Sequence, residues 1–528
     1  MKNLLYKILC GSFLFGTFAC QDFEEKNVDP NNPEKTPTNM LMAGVEKRMM
    51  DRVYDNWFSG RQCLVYSQYW SQRNYTEEDR YQIRESTNNN YYNSLYQCIA
   101  NLDAIIKMNT DPATADEMSA YGANANQIAA AKVMKAWLFQ LMTDTWGAIP
   151  YTEAGKLTEG LFNPKYDDQK DIYNALIAEL TEAANSIDVN EPAFVSGDRI
   201  FNGDASKWKK FANSLKCRIA IHLSKVDPNW KQYISEAVQS GVFGSNADNA
   251  VYKYSTTAPA QCKFYLGFFD ENRNDFTITR PFVDILKGQR DTLNAKTHPW
   301  EGVVDPRLPV YTTDRKGTYV GIPLGIPSSE LTSDMRNTAP TWYSTTLHPV
   351  TLDADFSTPL MTYAEVQFIL SEYKGFSAEE YKTGVRASLD YWGSLRGDAM
   401  DAQAADAYVE AVSKKVDAEA VALQKYIDLF MNGTEGWTEY RRTGYPTQLL
   451  KPNEISCVSA DGNPVKFSTL SETKGDIIAR VKYPTIESTL NGENFNNAVS
   501  KLQDGSNNYY SKMYWDVRTA SDPHPANK

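Results

Sequence analysis

The chain has 528 residues, 42% of them apolar and 23% charged, which is the balance of an ordinary soluble globule with room for a large core. Its formal charge is −12, and residues 1–19 hold two lysines and no acid, so the remainder is more acidic still. With no Lys/Arg-rich run to offset that charge, a phosphate-binding surface is excluded. Seven cysteines form no CxxC pair and four histidines give no zinc spacing, so neither a disulfide framework nor a zinc site is expected. The 32 tyrosines and 11 tryptophans suit either a sugar-recognition surface or dense packing of a helical protein.

Residues 1–19 read as an export signal, with Lys2 and Lys7 ahead of a short apolar run at 8–18. That run is too short to span a bilayer, and nothing later reaches the roughly 18 apolar residues that spanning requires. Ala19-Cys20 reads as a lipidation point that makes Cys20 the first mature residue, with an ordinary secretory cut as the alternative. Residues 20–37, acidic just after Cys20 and punctuated by Pro30, Pro33 and Pro37, read as a flexible tether.

Residues 38–528 read as one mostly α-helical domain. A helical scaffold covers about 38–240 and 362–450, and a loop-rich lobe with short strands covers about 241–361 and 451–528. A first helix is predicted over 40–58, with Leu41, Val45, Met49, Val53 and Trp57 at helical spacing. A polar, aromatic segment follows at 59–81. Further helices are predicted over 91–108, 116–146, 167–187 and 204–225. In the third of these five, Ile128, Ala131, Met134, Leu138, Leu141 and Met142 share one face, Trp137 and Phe139 widen it, and Gly147 and Pro150 end it. In the last, Asp204 is a good cap, Trp208, Phe211, Leu215, Ile219 and Leu223 form a stripe, and Cys217 reads as a buried thiol. Strands are predicted at 250–254 and 319–322. Helices return with the capping box Thr362-x-x-Glu365 and continue at 377–395 and 417–431. No fixed-period repeat is visible.

No set of catalytic residues stands out. GxSxG, HExxH, P-loop and dinucleotide fingerprints are absent from the sequence, and His222, His298, His348 and His524 are scattered. His222, beside a helix stripe, reads as packing or surface. Asp198 and Asp204, near Gly197 and Gly203, have the oxygen chemistry for calcium, but turn and capping roles explain them with less. No cofactor or metal is expected. What remains is recognition, in two aromatic and polar stretches. The first offers Tyr69, Trp70, Arg73, Tyr75 and Tyr81, with rings to stack on sugar C–H faces and polar groups to reach hydroxyls; the second offers Phe268, Phe269, Asn272 and Asn274. Trp300 and Trp342 are further candidates from the lobe. The competing reading is that these rings pack inward.

Five motifs, in order, carry a resemblance. They are Asp144-Thr-Trp-Gly-Ala-Ile-Pro-Tyr-Thr-Glu-Ala154; Trp208-Lys-Lys-Phe-Ala-Asn-Ser-Leu215 through Arg218 to Pro228; and Thr362-Tyr-Ala-Glu-Val-Gln-Phe-Ile-Leu370. Then come Asn432-Gly433 with Trp437 and Glu439-Tyr-Arg-Arg-Thr-Gly-Tyr-Pro446, and last Arg480, Tyr483-Pro484, Glu487 and 491–497. Together they resemble the SusD/RagB family of outer-membrane lipoproteins, in its SusD-like branch. The resemblance implies a tetratricopeptide-like helical scaffold, and a structural clamp for Arg441-Arg442. It also implies a non-enzymatic, cell-surface glycan-binding lipoprotein that serves as a lid on a SusC-like TonB-dependent outer-membrane transporter in oligosaccharide uptake. A lid for peptide or glycopeptide cargo is the alternative, and a secreted glycoside hydrolase a remote one. The family's ligand contacts vary between members, so no site residue is carried over.

Overall fold

The structure is a computed structural model; it describes residues 36–517 apart from 274, 316, 334, 336–348 and 396–399. The expected signal, Cys20 and most of the tether lie outside these residues, as do Asn274, Trp342, His348 and His524.

Helices dominate. The first arm runs α1 (Thr38–Val53), α2 (Glu85–Thr110), α3 (Asn124–Trp146), α4 (Gln169–Ser186), α5 (Ala205–His222) and α6 (Trp230–Ser240), with α1 packed on α2 and each later helix on the one before it. The second arm runs α7 (Tyr363–Tyr373), α8 (Ala378–Leu395), α9 (Ala402–Val412), α10 (Ala418–Asp428) and α11 (Gly433–Thr443). Helix α7 packs on α8, on α10 and across onto α5, and α11 packs on α3, so the arms share one apolar core that extends from Met42 to Trp515. Six short strands form three antiparallel pairs among the described residues: β1 (Trp70–Gln72) with β3 (Phe276–Ile278), β2 (Ala250–Tyr252) with β4 (Thr358–Met361), and β5 (Ile455–Val458) with β6 (Pro464–Lys466).

Local chemistry sets the helix ends. The Asp204 carboxylate accepts from the Lys207 N–H at 3.1 Å to start α5, and the Thr362 hydroxyl accepts from the Glu365 N–H at 3.0 Å to start α7. Helix α3 is buried on nearly every side and stops at Gly147, whose φ of 92° an L side chain would resist. Beyond it, Arg480 donates to the Trp146 carbonyl at 2.7 Å. The Arg441 guanidinium lies 3.4 Å from the Trp437 ring centre and donates to the carbonyls of Ala479 (2.8 Å) and Asp144 (2.9 Å), while Arg442 makes paired bonds to Glu372 and Glu439. These two arginines join α11 to the end of α3, to the segment at Ala479 and to α7, a structural clamp in substance.

Four expectations need correction. The first helix ends at Val53 rather than 58, because the chain unwinds at Tyr54 and Asp55 starts a new turn. The helix predicted over 116–146 is interrupted before Asn124, because Gly122, at a φ of 142°, lies where a Cβ would strike the Ala193 carbonyl. The 319–322 strand reduces to a single bridge, Ile322 with Thr279. Among the described residues the C-terminal lobe holds two helices, Thr485–Leu490 and Gly492–Ser500. The cysteines at 63, 98, 217, 262 and 457 are buried free thiols; burial pushes those of Cys63 and Cys217 up to about 12.

Candidate ligand-binding site

The β1–β3 pair brings the two aromatic stretches together. Trp70 lies opposite Ile278 and Gln72 opposite Phe276, and the Arg73 N–H extends the ladder to the Asp275 carbonyl at 2.6 Å. The rest of the second stretch folds back over the turn after α1. A Cβ on Gly267 would overlap the Asn56 side chain, so only glycine allows that approach.

This pairing sends most of the predicted rings inward, which corrects them as stacking faces. Trp70 is fully buried among Phe264, Phe268 and Phe276 at ring-centre distances of 5.2, 5.9 and 5.4 Å. Tyr69 stacks on Tyr426 at 4.5 Å and donates to its carbonyl. Tyr81 is wedged between Tyr66 and Phe467, and Trp300 is buried against His298. Phe268 and Arg73 are also buried. Polar residues in the stretch misled the reading because they satisfy one another: Ser71 donates to Asp79 at 2.6 Å and Gln72 to Glu78 at 3.0 Å, both out of water.

Among the described residues of these segments, three large rings stay open. Phe269 is 57% exposed, Tyr75 is 56% exposed and Trp57 is 37% exposed. Tyr75 lies after β1 and Asn272 before β3, at φ values of 57° and 52°, and Asn272 is exposed. Trp57 is the residue the sequence reading missed. Its spacing from Val53 looked like one more helical turn of core, yet it lies beyond the helix. The signal was Asp55, whose carboxylate accepts from the N–H groups of Trp57 (3.1 Å), Phe58 (2.8 Å) and Ser59 (3.1 Å), as a cap does. Burial pushes the Asp55 carboxyl up to about 6 against those three hydrogen bonds.

Trp57 edges a cavity of about 340 Å³ lined also by Arg52, Asp55, Arg84, Thr87 and Asn90. The Arg61 guanidinium lies 4.8 Å from the Trp57 ring centre and that of Arg273 lies 5.9 Å from it. Arg61 is buried and donates to Glu78 at 2.8 Å, and Arg84 bonds the same carboxylate oxygen at 2.7 Å. The arrangement offers a ring face, hydroxyls, an amide and guanidinium donors. Asp55 is the carboxylate in its lining.

A second polar cluster is buried where the arms meet. His222 Nε2 is 2.8 Å from Glu435 Oε1, and Nδ1 is 3.5 Å from Asp144 Oδ2. Burial alone would lower the His222 pKa, but the Glu435 and Asp144 carboxylates overcome it and raise the value to about 9. Three potential ligand atoms lie within 4.8 Å here. Both ring nitrogens face carboxylates, and Arg218 Nε is 3.8 Å from Glu435, an arrangement that favours the protonated imidazole and ties α5 to α3 and α11. Of the two readings expected for His222, packing holds and surface does not, and the packing is against charged groups. Asp198 is likewise saturated: its oxygens accept from the N–H groups of Ile200, Phe201 and Gly203 and from the Trp208 indole, so turn closure accounts for it without calcium.

A protein-family model described as "Starch-binding associating with outer membrane" matches residues 30–467. A solved structure of a chitin-binding protein is 26% identical, with a TM-score of 0.73 over 91% of this chain and 100% of that one. A SusD homologue from Parabacteroides distasonis is 22% identical, with a TM-score of 0.73 over 91% and 98%. A chitin-binding SusD homologue from Flavobacterium johnsoniae is 22% identical, with a TM-score of 0.69 over 90% and 99%. Among curated proteins none matches the chain.

Proposed function

The chain belongs to the SusD-like family, and from that premise we propose that it captures oligosaccharides at the cell surface and passes them, as a lid, to a SusC-like TonB-dependent outer-membrane transporter. The observation that carries the binding half of this reading is the open Trp57 ring at the rim of a polar cavity, with Phe269, Asn272 and Tyr75 on neighbouring loops of a rigid scaffold. Sugar C–H faces stack on such rings, and hydroxyls take hydrogen bonds from Asn, Thr and Arg side chains. The starch and chitin named for its relatives agree in ligand class. No helix among the described residues is long and apolar enough to cross a membrane, and the proposed attachment is a lipid on Cys20. The reading assigns no bond-breaking step.

The test is calorimetric titration of the detergent-extracted protein with malto-oligosaccharides, chito-oligosaccharides and acidic plant oligosaccharides, beside Trp57→Ala. Binding that is lost in the variant supports the reading. A folded protein that binds none of them contradicts it.

A further inference from the structure

The cavity is basic at its rim, in a chain whose pI is about 5.1. Arg52 and Arg84 line it, and Arg273 reaches the Trp57 ring from the neighbouring loop. Among the described residues neither Arg52 nor Arg273 is in an ion pair, while Arg84 ties only its Nε to Glu78 and keeps a half-exposed guanidinium. The nearest counter-charge in the lining is Asp55, and one of its oxygens is already taken by three N–H groups. Uncommitted guanidinium forks beside a stacking ring match a planar or tetrahedral anion carried on a sugar. A neutral sugar would draw nothing from the charge of Arg52 and Arg273.

Resting on the glycan-capture reading, we infer that this site selects anionic sugars, carboxylated or sulfated, with Arg52 and Arg273 contacting the charged group while Trp57 stacks on the ring that bears it. Thr87 and Asn90 then supply contacts to hydroxyls. A charge-assisted hydrogen bond contributes more than a neutral one, and an exposed pair of them is weakened by salt.

The experiment titrates the detergent-extracted protein with galacturonic acid oligomers, sulfated carrageenan oligomers, and chito- and malto-oligosaccharides of matched length, at low and at 0.5 M salt, on the order of the concentrations that respectively expose and screen surface charge. The expected result is at least about tenfold tighter binding of one acidic class over the neutral ones. That preference is to disappear in Arg52→Gln and Arg273→Gln and in high salt, with circular dichroism unchanged. Which acidic class wins distinguishes carboxylate from sulfate. Neutral oligosaccharides that bind as tightly, lose binding in Trp57→Ala and ignore both arginine changes would overturn this inference and leave the glycan reading standing. No binding of any sugar would overturn both.

Discussion

The Arg61 guanidinium supports the Trp57 ring from 4.8 Å and is itself held by Glu78 at 2.8 Å. The ring at the rim of the cavity is thus fixed by a buried ion pair. Fixing a ring before the ligand arrives removes an ordering cost from binding. Trp57→Ala should cost about 2 kcal/mol of glycan affinity, roughly thirtyfold. Because the ring is partly exposed, the melting temperature should move little; calorimetry and a thermal melt on the same variant separate the two effects.

Arg218 and Glu365 form a fully buried, two-pronged pair with both contacts at 2.6 Å, linking α5 to α7. Arg218→Leu would strand the Glu365 carboxylate, and leave Glu435 with one cation fewer. A loss of about 3–5 kcal/mol in unfolding free energy is expected, read from denaturant titration. A loss below about 1 kcal/mol would mean the arms are held by packing alone.

Stability should fall with alkali. His222 is raised to about 9 in the folded state, above its unfolded value of roughly 6.5. Its contribution is therefore fully present below about pH 6.5 and lost as pH rises through about 9. Glu435 has the opposite sign: burial would raise it, but His222 and Arg218 hold it down near 2, so its contribution is present above the ordinary Glu value and lost as pH falls. Denaturant midpoints should be lower at pH 9 than at pH 6.5, by an amount worth about 3 kcal/mol at most. In His222→Gln that alkaline slope should be absent.

Gly433, at the start of α11, sits against backbone: an added Cβ would lie 2.6 Å from the Leu64 nitrogen and 2.7 Å from the Cys63 carbonyl carbon. Gly433→Ala should cost about 1–3 kcal/mol in thermal unfolding. Gly492, in the C-terminal helix Gly492–Ser500, has open space around it, so Gly492→Ala should instead stabilise by roughly 0.5–1 kcal/mol. Equal effects at the two sites would contradict the packing described.

Membrane attachment is proposed to depend on Cys20. Cys20→Ser should move the protein from the membrane fraction to the soluble fraction, with the acyl label lost in mass spectrometry. Retention in the membrane would place the attachment elsewhere.

The sequence made the helical scaffold readable because its signals are local. Asp204, Thr362 and Asp417 cap where capping chemistry says, and Gly147 ends α3. The candidate site was less readable. Two separated stretches proved to be partners, since β1 and β3 pair. Which of their rings stay outside depends on that pairing and on the Phe264–Phe268–Phe276 cluster, neither of which has a short-range signature. Trp70 was misjudged because polar neighbours surround it in sequence and then bury themselves in pairs. Trp57 was misjudged because a stripe at helical spacing continues past Val53, where the helix ends and after which Asp55 starts a new turn. Charged residues such as Arg218 and His222 make their contacts across the chain, to Glu365 and Glu435, and such partners leave no local signal.

The central claim is that sugar is captured at Trp57, and the most direct measurement is N-bromosuccinimide oxidation mapped by peptide mass spectrometry, with and without saturating oligosaccharide. Trp57 is the most exposed tryptophan among the described residues. The account predicts that it is oxidised readily in the free protein and protected when the sugar binds. Sugar that binds while Trp57 remains fully reactive would contradict it.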